Sequence, residues 1–268
     1  MSLMRRVDQA REAYRHEDRE ASAQAHSGRR IVQAAAEEHG QPSHQYIGDL
    51  VYGGLDGIVT TFAVVSGVAG AELGSHIVLI LGLANLFADG FSMATGAYLS
   101  SKSEAEYYQR EREREAWEVD HFPEGEKAEL LEVYRARGYG DEDSARLVEI
   151  QSKTKDRWVN AMMIDELGLL PDEKSPLRSA LATFLAFVTA GSVPLLIYLA
   201  GFILPVPASV AFPVSIGLSA LALFGLGAAK VLVTERNLLR SGLEMLLVGG
   251  MASVVAYIVG ALLKGVGG

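Results

Sequence analysis

Between Ser179 and Ala229 there is no Asp, Glu, Lys or Arg, a run of 51 uncharged and largely apolar residues. One helical bilayer crossing takes roughly 20 residues, so this run has room for two. The segregation recurs elsewhere. From Gly57 to Ala88 the only formal charge is Glu72, and from Gly242 to Val266 only Glu244 and Lys264 appear. The expected spans are Gly48 to Leu73, His76 to Leu99, Arg178 to Leu199, Ser209 to Val231, and Gly242 to Lys264. A mean hydropathy of +0.18 beside 21% charged residues is what such segregation produces, since the charges collect outside the spans.

The cations sort to one side. Seven Lys and Arg precede the first span, thirteen lie from Lys102 to Arg178, three (Lys230, Arg236, Arg240) flank the turn between spans four and five, and Lys264 stands near the end. With five spans, 23 of the 24 fall on the same side. Positively charged loops are retained in the cytoplasm, so the amino terminus and the long second loop are expected there. The polar first 45 residues do not resemble a signal peptide, and the first apolar segment is expected to stay as a span.

The loop between spans two and three reads as helical, in three pieces. Span two runs on through Ser103 to Val119, because no Gly or Pro interrupts it after Gly96, and His121, Phe122 and Pro123 end it. A second helix, Glu124 to Arg137, stops at Gly138 and Gly140 in the manner of a left-handed cap. A third starts near Asp141 and Asp143, acids that suit a helix amino terminus, and continues to Glu166. The fold class is therefore an all-α membrane protein, five transmembrane helices with a three-helix cytoplasmic bundle inserted between spans two and three. The expected divisions are 1–45 (a polar head), 46–100, 101–175 and 176–268.

Ionisable residues inside a span are costly, on the order of 3 kcal/mol for a central Asp, and so point to function. Asp56 lies inside span one, with Asp49 two turns away on the same face. Asn85, Asp89 and Met93 recur every four residues on span two and form one stripe. Two polar stripes on consecutive spans suggest a pathway, although Asp56 and Asp89 would also serve as interhelical hydrogen-bond anchors. In the insert, Glu115 and Glu118 are three apart, as are Glu126 and Glu129, and each pair can direct its oxygens to one side. Met162, Met163 and Glu166 bring two thioethers and a carboxylate. Alone, such glutamates are ordinarily solvated surface and such methionines ordinarily core. There is no cysteine, so any metal is held by oxygen, nitrogen or thioether. Thioethers beside carboxylates favour a borderline transition metal over magnesium or calcium.

The runs DLVYGGLDGIVTTFAVV (Asp49 to Val65) and ANLFADGFSMATGAYL (Ala84 to Leu99) resemble the two signature spans of the vacuolar iron transporter family, which includes nodulin-21-like proteins. The resemblance covers about residues 46 to 266. It implies a dimer of five-helix protomers exchanging protons for ferrous iron, and for manganese or other divalent metals. It further implies metal binding by Glu115, Glu118, Glu126, Glu129, Met162, Met163 and Glu166, and translocation by Asp49, Asp56 and Met93. Asp89 and Asn85 are added here on stripe geometry. No prosthetic group, nucleic-acid partner or enzymatic activity is expected. The setting is the cytoplasmic membrane of a bacterium or the vacuolar membrane of a eukaryote.

The alternative is a membrane-anchored iron-storage or ferroxidase protein in which the carboxylate bundle does the chemistry. Glu118 and His121 form one Glu-x-x-His element, which ferritin-like di-iron sites use in pairs. Anchoring alone leaves Asp49, Asp56 and Asp89 without a purpose. A metal sensor would need an output domain, and none is recognisable. The head carries His16, His26, His39 and His44, to which no role is assigned. Gly53 and Gly57 make a small-xxx-small pair that suits either a homodimer seam or close packing within one bundle.

Overall fold

A computed structural model describes residues 6–28, 46–171, 174–201, 203–204, 206–234 and 237–264. It divides into two units, Met1–Gln45 and Tyr46–Gly268. In the first, helices Arg6–Arg15 and Arg19–Ala25 are joined by a turn in which Glu17 takes a positive φ. Asp18 caps the second helix by accepting from the amides of Glu20 and Ala21. His39 and His44 lie outside the described residues.

The second unit is helical throughout its described residues, and five of its helices are long and apolar enough to cross a membrane. They are Ile47–Gly70, Ser75–His121, the segment Pro176–Ala200, a fourth helix Ala208–Thr234, and Leu238–Leu262. The first lies at the centre, packed against the third, fifth, second and fourth. Glycines make this possible. A Cβ on Gly53 would stand 2.6 Å from the Thr183 carbonyl oxygen, and one on Gly57 would stand 2.4 Å from that of Phe187. This face is thus taken up by the third span inside the protomer, which answers for that glycine pair the choice between a dimer seam and internal packing. Phe62, Val65, Leu86, Phe187 and Leu195 fill the core around it.

The third span departs from the single helix expected. The α-helix Pro176–Gly191 gives way to a 3-10 turn, Val193–Leu195, before Leu196–Ala200 resumes. Pro194 has no N–H to donate and its ring crowds the preceding turn, so the α-helical ladder ends there. The fourth span ties the break down, with Ser215 Oγ donating to the Pro194 carbonyl at 2.7 Å.

The second span does run on without interruption to His121, a helix of 47 residues. At 1.5 Å per residue it is roughly 70 Å long, more than twice the hydrocarbon thickness of a bilayer. Its outer half is held by short-range pairs along one helix, including Lys102 with Glu106 and Gln109 with Glu113. Phe122 leaves the helical region and Pro123 opens the next helix, Pro123–Ala136. That helix ends at Gly138, whose φ of +93° accepts the left-handed cap. The Gly138 and Tyr139 amides close back on the carbonyls of Arg135 and Tyr134, the pair of bonds that defines a Schellman motif.

The expected third insert helix is two helices and a π turn: Asp141–Gln151, Lys155–Ala161 and Met162–Glu166. The interruption falls on Ser152, Lys153 and Thr154. Hydroxyl residues there offer the backbone alternative partners, and Ser152 Oγ takes the Glu149 carbonyl. Gly168, at a φ of +68°, ends the π turn. Val119, Leu130, Tyr134, Val148, Trp158, Met162 and Met163 form the core of the insert.

Candidate metal centre and membrane pathway

Two helices deliver the central glutamates. Glu115 and Glu118 project from the extension of the second span, and Glu126 from the first turns of Pro123–Ala136. The tight junction at Phe122 folds these helices side by side. One carboxylate oxygen from each of the three residues lies within 4.8 Å of the others, a spacing at which three oxygens can close around a single cation. Glu115 is 1% exposed and Glu126 4%, so these are interior carboxylates. The Oε2 atoms of both are buried without a hydrogen-bond partner among the described residues. A buried, unpaired polar oxygen is costly, and it is a position where a ligand would be stabilising.

The electrostatics follow from this crowding. Burial, then repulsion from Glu115, Glu129 and Glu118, pushes the Glu126 carboxyl up to about 7. Glu115 is also raised, by burial first, with the Arg114 guanidinium working against the rise. Glu166 stands at the exposed rim, where desolvation of its inward side and the Glu115 and Glu129 charges push it up to about 7. Glu129 is exposed, its charge reaching the cluster without its oxygens joining the converging set. Met162 and Met163 are fully buried in the apolar core, on a π turn packed against both glutamate-bearing helices. Single π turns inside helices are frequent at functional sites. Asp165 anchors that turn by accepting from Tyr134 and Arg137.

His121 does not join the glutamates. Its ring stacks on Trp117 at 4.3 Å and its Nδ1 lies 2.7 Å from the Trp117 carbonyl, so the Glu-x-x-His element does not assemble.

Nearer the apolar spans lies a cavity of about 450 Å³. Asp49 and Met93 share it with Tyr52, Ser101, Glu104, Lys174 and Ser179. Ser179 Oγ donates to Asp49 Oδ2 at 2.7 Å, and Ser101 Oγ is buried without a partner among the described residues. Asp56 and Asp89 are half-buried, away from the cavity lining, and near enough for their charges to interact. Asn85 Nδ2 is buried with no hydrogen-bond partner among the described residues. The sequence reading brought out Asp49 and Met93 but not Ser101, Glu104 or Ser179. Small hydroxyl residues carry no pattern of their own, and Glu104 merges into a helix already rich in charge.

Five apolar helices, the second prolonged into a carboxylate-bearing helical insert, define an integral membrane protein of the polytopic α-helical class. The chain belongs to the VIT family, whose model matches residues 47–261. It is 40% identical over 269 positions to a vacuolar iron transporter of Toxoplasma gondii, covering 97% of this chain and 89% of the relative. To a vacuolar iron transporter of Plasmodium falciparum it is 33% identical, with 98% of each chain covered. To vacuolar iron transporter 1 of Arabidopsis thaliana it is 36% identical over 214 positions, 80% of this chain and 84% of the relative. The first two alignments reach into the residues before 46, which the resemblance drawn from the signature spans left out.

Proposed function

We propose that this protein transports ferrous iron, and manganese or related divalent ions, out of the cytosol in exchange for protons. The observation that carries this reading is the pair of buried, open oxygens on Glu115 and Glu126, on an insert whose longest helix continues into the span bearing Met93 and Asp89. The ion is captured by Glu115, Glu118 and Glu126, with Glu129 and Glu166 attracting it at the rim and Met162 and Met163 supplying thioether selectivity. It then passes to the cavity of Asp49 and Met93 and on to Asp56. A dication beside a buried carboxylate favours the ionised form, whereas a proton arriving from the far side favours the neutral one. One carboxylate can therefore serve both fluxes in turn.

The names of the relatives and the one-sided Lys and Arg distribution support iron as cargo and a cytosolic insert. A dimer belongs to the reading through the family resemblance; because Gly53 and Gly57 are occupied internally, a second copy would meet other surfaces. The test is reconstitution into liposomes holding a metal-sensitive and a pH-sensitive dye. Fe²⁺ or Mn²⁺ entering with opposed proton movement is the expected result. Metal binding with no flux would leave storage as the better reading.

A further inference from the structure

Arg114 reaches into the glutamate cluster from the same helix. Its guanidinium bonds Glu118 Oε2 through Nη1, Glu115 Oε1 through Nη2, and Glu111 Oε2 through Nε at 3.0 Å. Glu111, Glu115 and Glu118 stand at −3, +1 and +4 from it, which puts all three carboxylates within reach of one planar donor. Two of them belong to the converging set and Glu111 does not. Arg110 engages the other oxygen of Glu111, its Nη2 lying 3.1 Å from Oε1, so Glu111 is a carboxylate held in place between two guanidinium groups.

We propose that Arg114 is a tethered competitor of the divalent cation. It occupies Glu115 and Glu118 while no metal is bound, and it withdraws to Glu111 when one arrives. This rests on the reading of the cluster as a cation site. The arrangement has the three parts such a device needs. The competitor engages two of the carboxylates that converge on the site, it has a resting carboxylate outside the site, and it keeps its charge at every physiological pH. Its side chain is 41% exposed, which leaves it room to move. Charge-assisted bonds to two ligands oppose metal binding, and re-forming them assists release. A site that must pass its ion onward gains from both effects.

Mn²⁺ binding to the full chain in detergent, followed by the magnetic resonance signal of free Mn²⁺ at pH 7.5, tests this. Arg114→Gln should tighten binding on the order of tenfold and slow release. Arg114→Lys, which keeps the charge but can hold only one carboxylate well, should lie between the two. Removing the resting place with Glu111→Gln should weaken binding, and this effect should vanish in the Arg114→Gln background. A persistent effect would mark a simple field and overturn the competition. Arg114→Gln with unchanged or weaker affinity and intact helix content also overturns it. Should that variant not fold, Arg114→Lys decides, tightening in support or unchanged affinity against. The double variant Glu115→Gln/Glu126→Gln separates the two readings. Loss of Mn²⁺ binding there upholds the cluster whatever Arg114 does, and parental affinity removes both.

Discussion

Glu126 and Glu166, each pushed up to about 7, make the cluster sensitive to pH in the physiological range. An ordinary glutamate ionises near 4.5, so folding favours the protonated form of these two. That contribution to stability is fully present below about pH 4.5 and is lost as pH rises through 7. The groups facing Glu126 are Glu115, Glu118, Glu129 and Glu166, and Arg114 bears on Glu115 and Glu166. The metal-free protein is therefore expected to melt at a lower temperature at pH 8 than at pH 6, with Mn²⁺ restoring the loss at pH 8. Mn²⁺ affinity should climb between those values, because protons compete for the same oxygens. Calorimetry with and without Mn²⁺ reads both, and a flat pH profile would remove the coupling between the buried glutamates. Asp56 has a different test. Asp56→Asn keeps size and hydrogen bonding but cannot titrate, and it should abolish metal-driven proton movement in liposomes, whereas Asp56→Glu should keep part of it. A purely structural Asp56 predicts the reverse order, since an added methylene strains tightly packed spans. At this scale the three-residue spacing of Glu115, Glu118, Glu126 and Glu129 is equally that of solvated surface, and only the family resemblance singled these glutamates out; nothing in the sequence marked Arg114. An arginine among glutamates on a helix has the same pattern whether it pairs on the surface or reaches into a site.

The glycine-packed face of the first span and the capped end of the second insert helix show how elements are fixed. Gly57→Ala drives a methyl group to 2.4 Å from the Phe187 carbonyl, so the two spans must part. A loss of about 1–3 kcal/mol is expected, read as a lower melting temperature of the protein in detergent. Gly138→Ala meets no neighbour, yet its φ of +93° is unfavourable for alanine, and it should cost about 1 kcal/mol. Equal stability of Gly57→Ala and the parent would contradict the packing described here. The five spans and the Gly138 stop were readable because hydropathy and a left-handed cap leave strong local signals. The break at Pro194 was also present in the sequence, but a 22-residue apolar stretch reads as one span, and transmembrane helices often keep a proline within a bent helix. The π turn at Met162–Glu166 leaves no such trace. It depends on how Asp165 is drawn to Arg137 and Tyr134 on a neighbouring helix, a tertiary contact with no local pattern.

For the whole molecule the decisive quantity is the distribution of charge about the bilayer. Lys264 ends the fifth span beside Glu72, which follows the first, so this lone cation of the far side is paired across two helix ends. A cysteine at Ser152 is expected to react with impermeant reagents only from the cytosolic face; labelling from outside intact cells would reverse the orientation and the export direction with it. The span count was legible from the placement of charge-free apolar runs along the chain, and the sorting of Lys and Arg from their positions between those runs. The cavity shared by Asp49, Met93 and Glu104 was not, because it depends on where the first, second and third spans meet in space.

The unbroken helix from Ser75 to His121 makes the second span a lever. Asn85 sits near the membrane midpoint of this rod, and Asp89, Met93, Glu115 and Glu118 follow on the same side of it with no hinge between them. If the span rocks by about 10° around its membrane midpoint, the level of Glu115, some 45 Å along the rod, sweeps roughly 8 Å. Glu126 sits on the next helix, beyond the corner at Phe122 and Pro123, and the core shared by Val119, Leu130 and Trp158 couples that helix to the rod. A small tilt within the bilayer would thus displace the insert's glutamates by several ångström, giving the membrane half of the protein leverage on the proposed cation site.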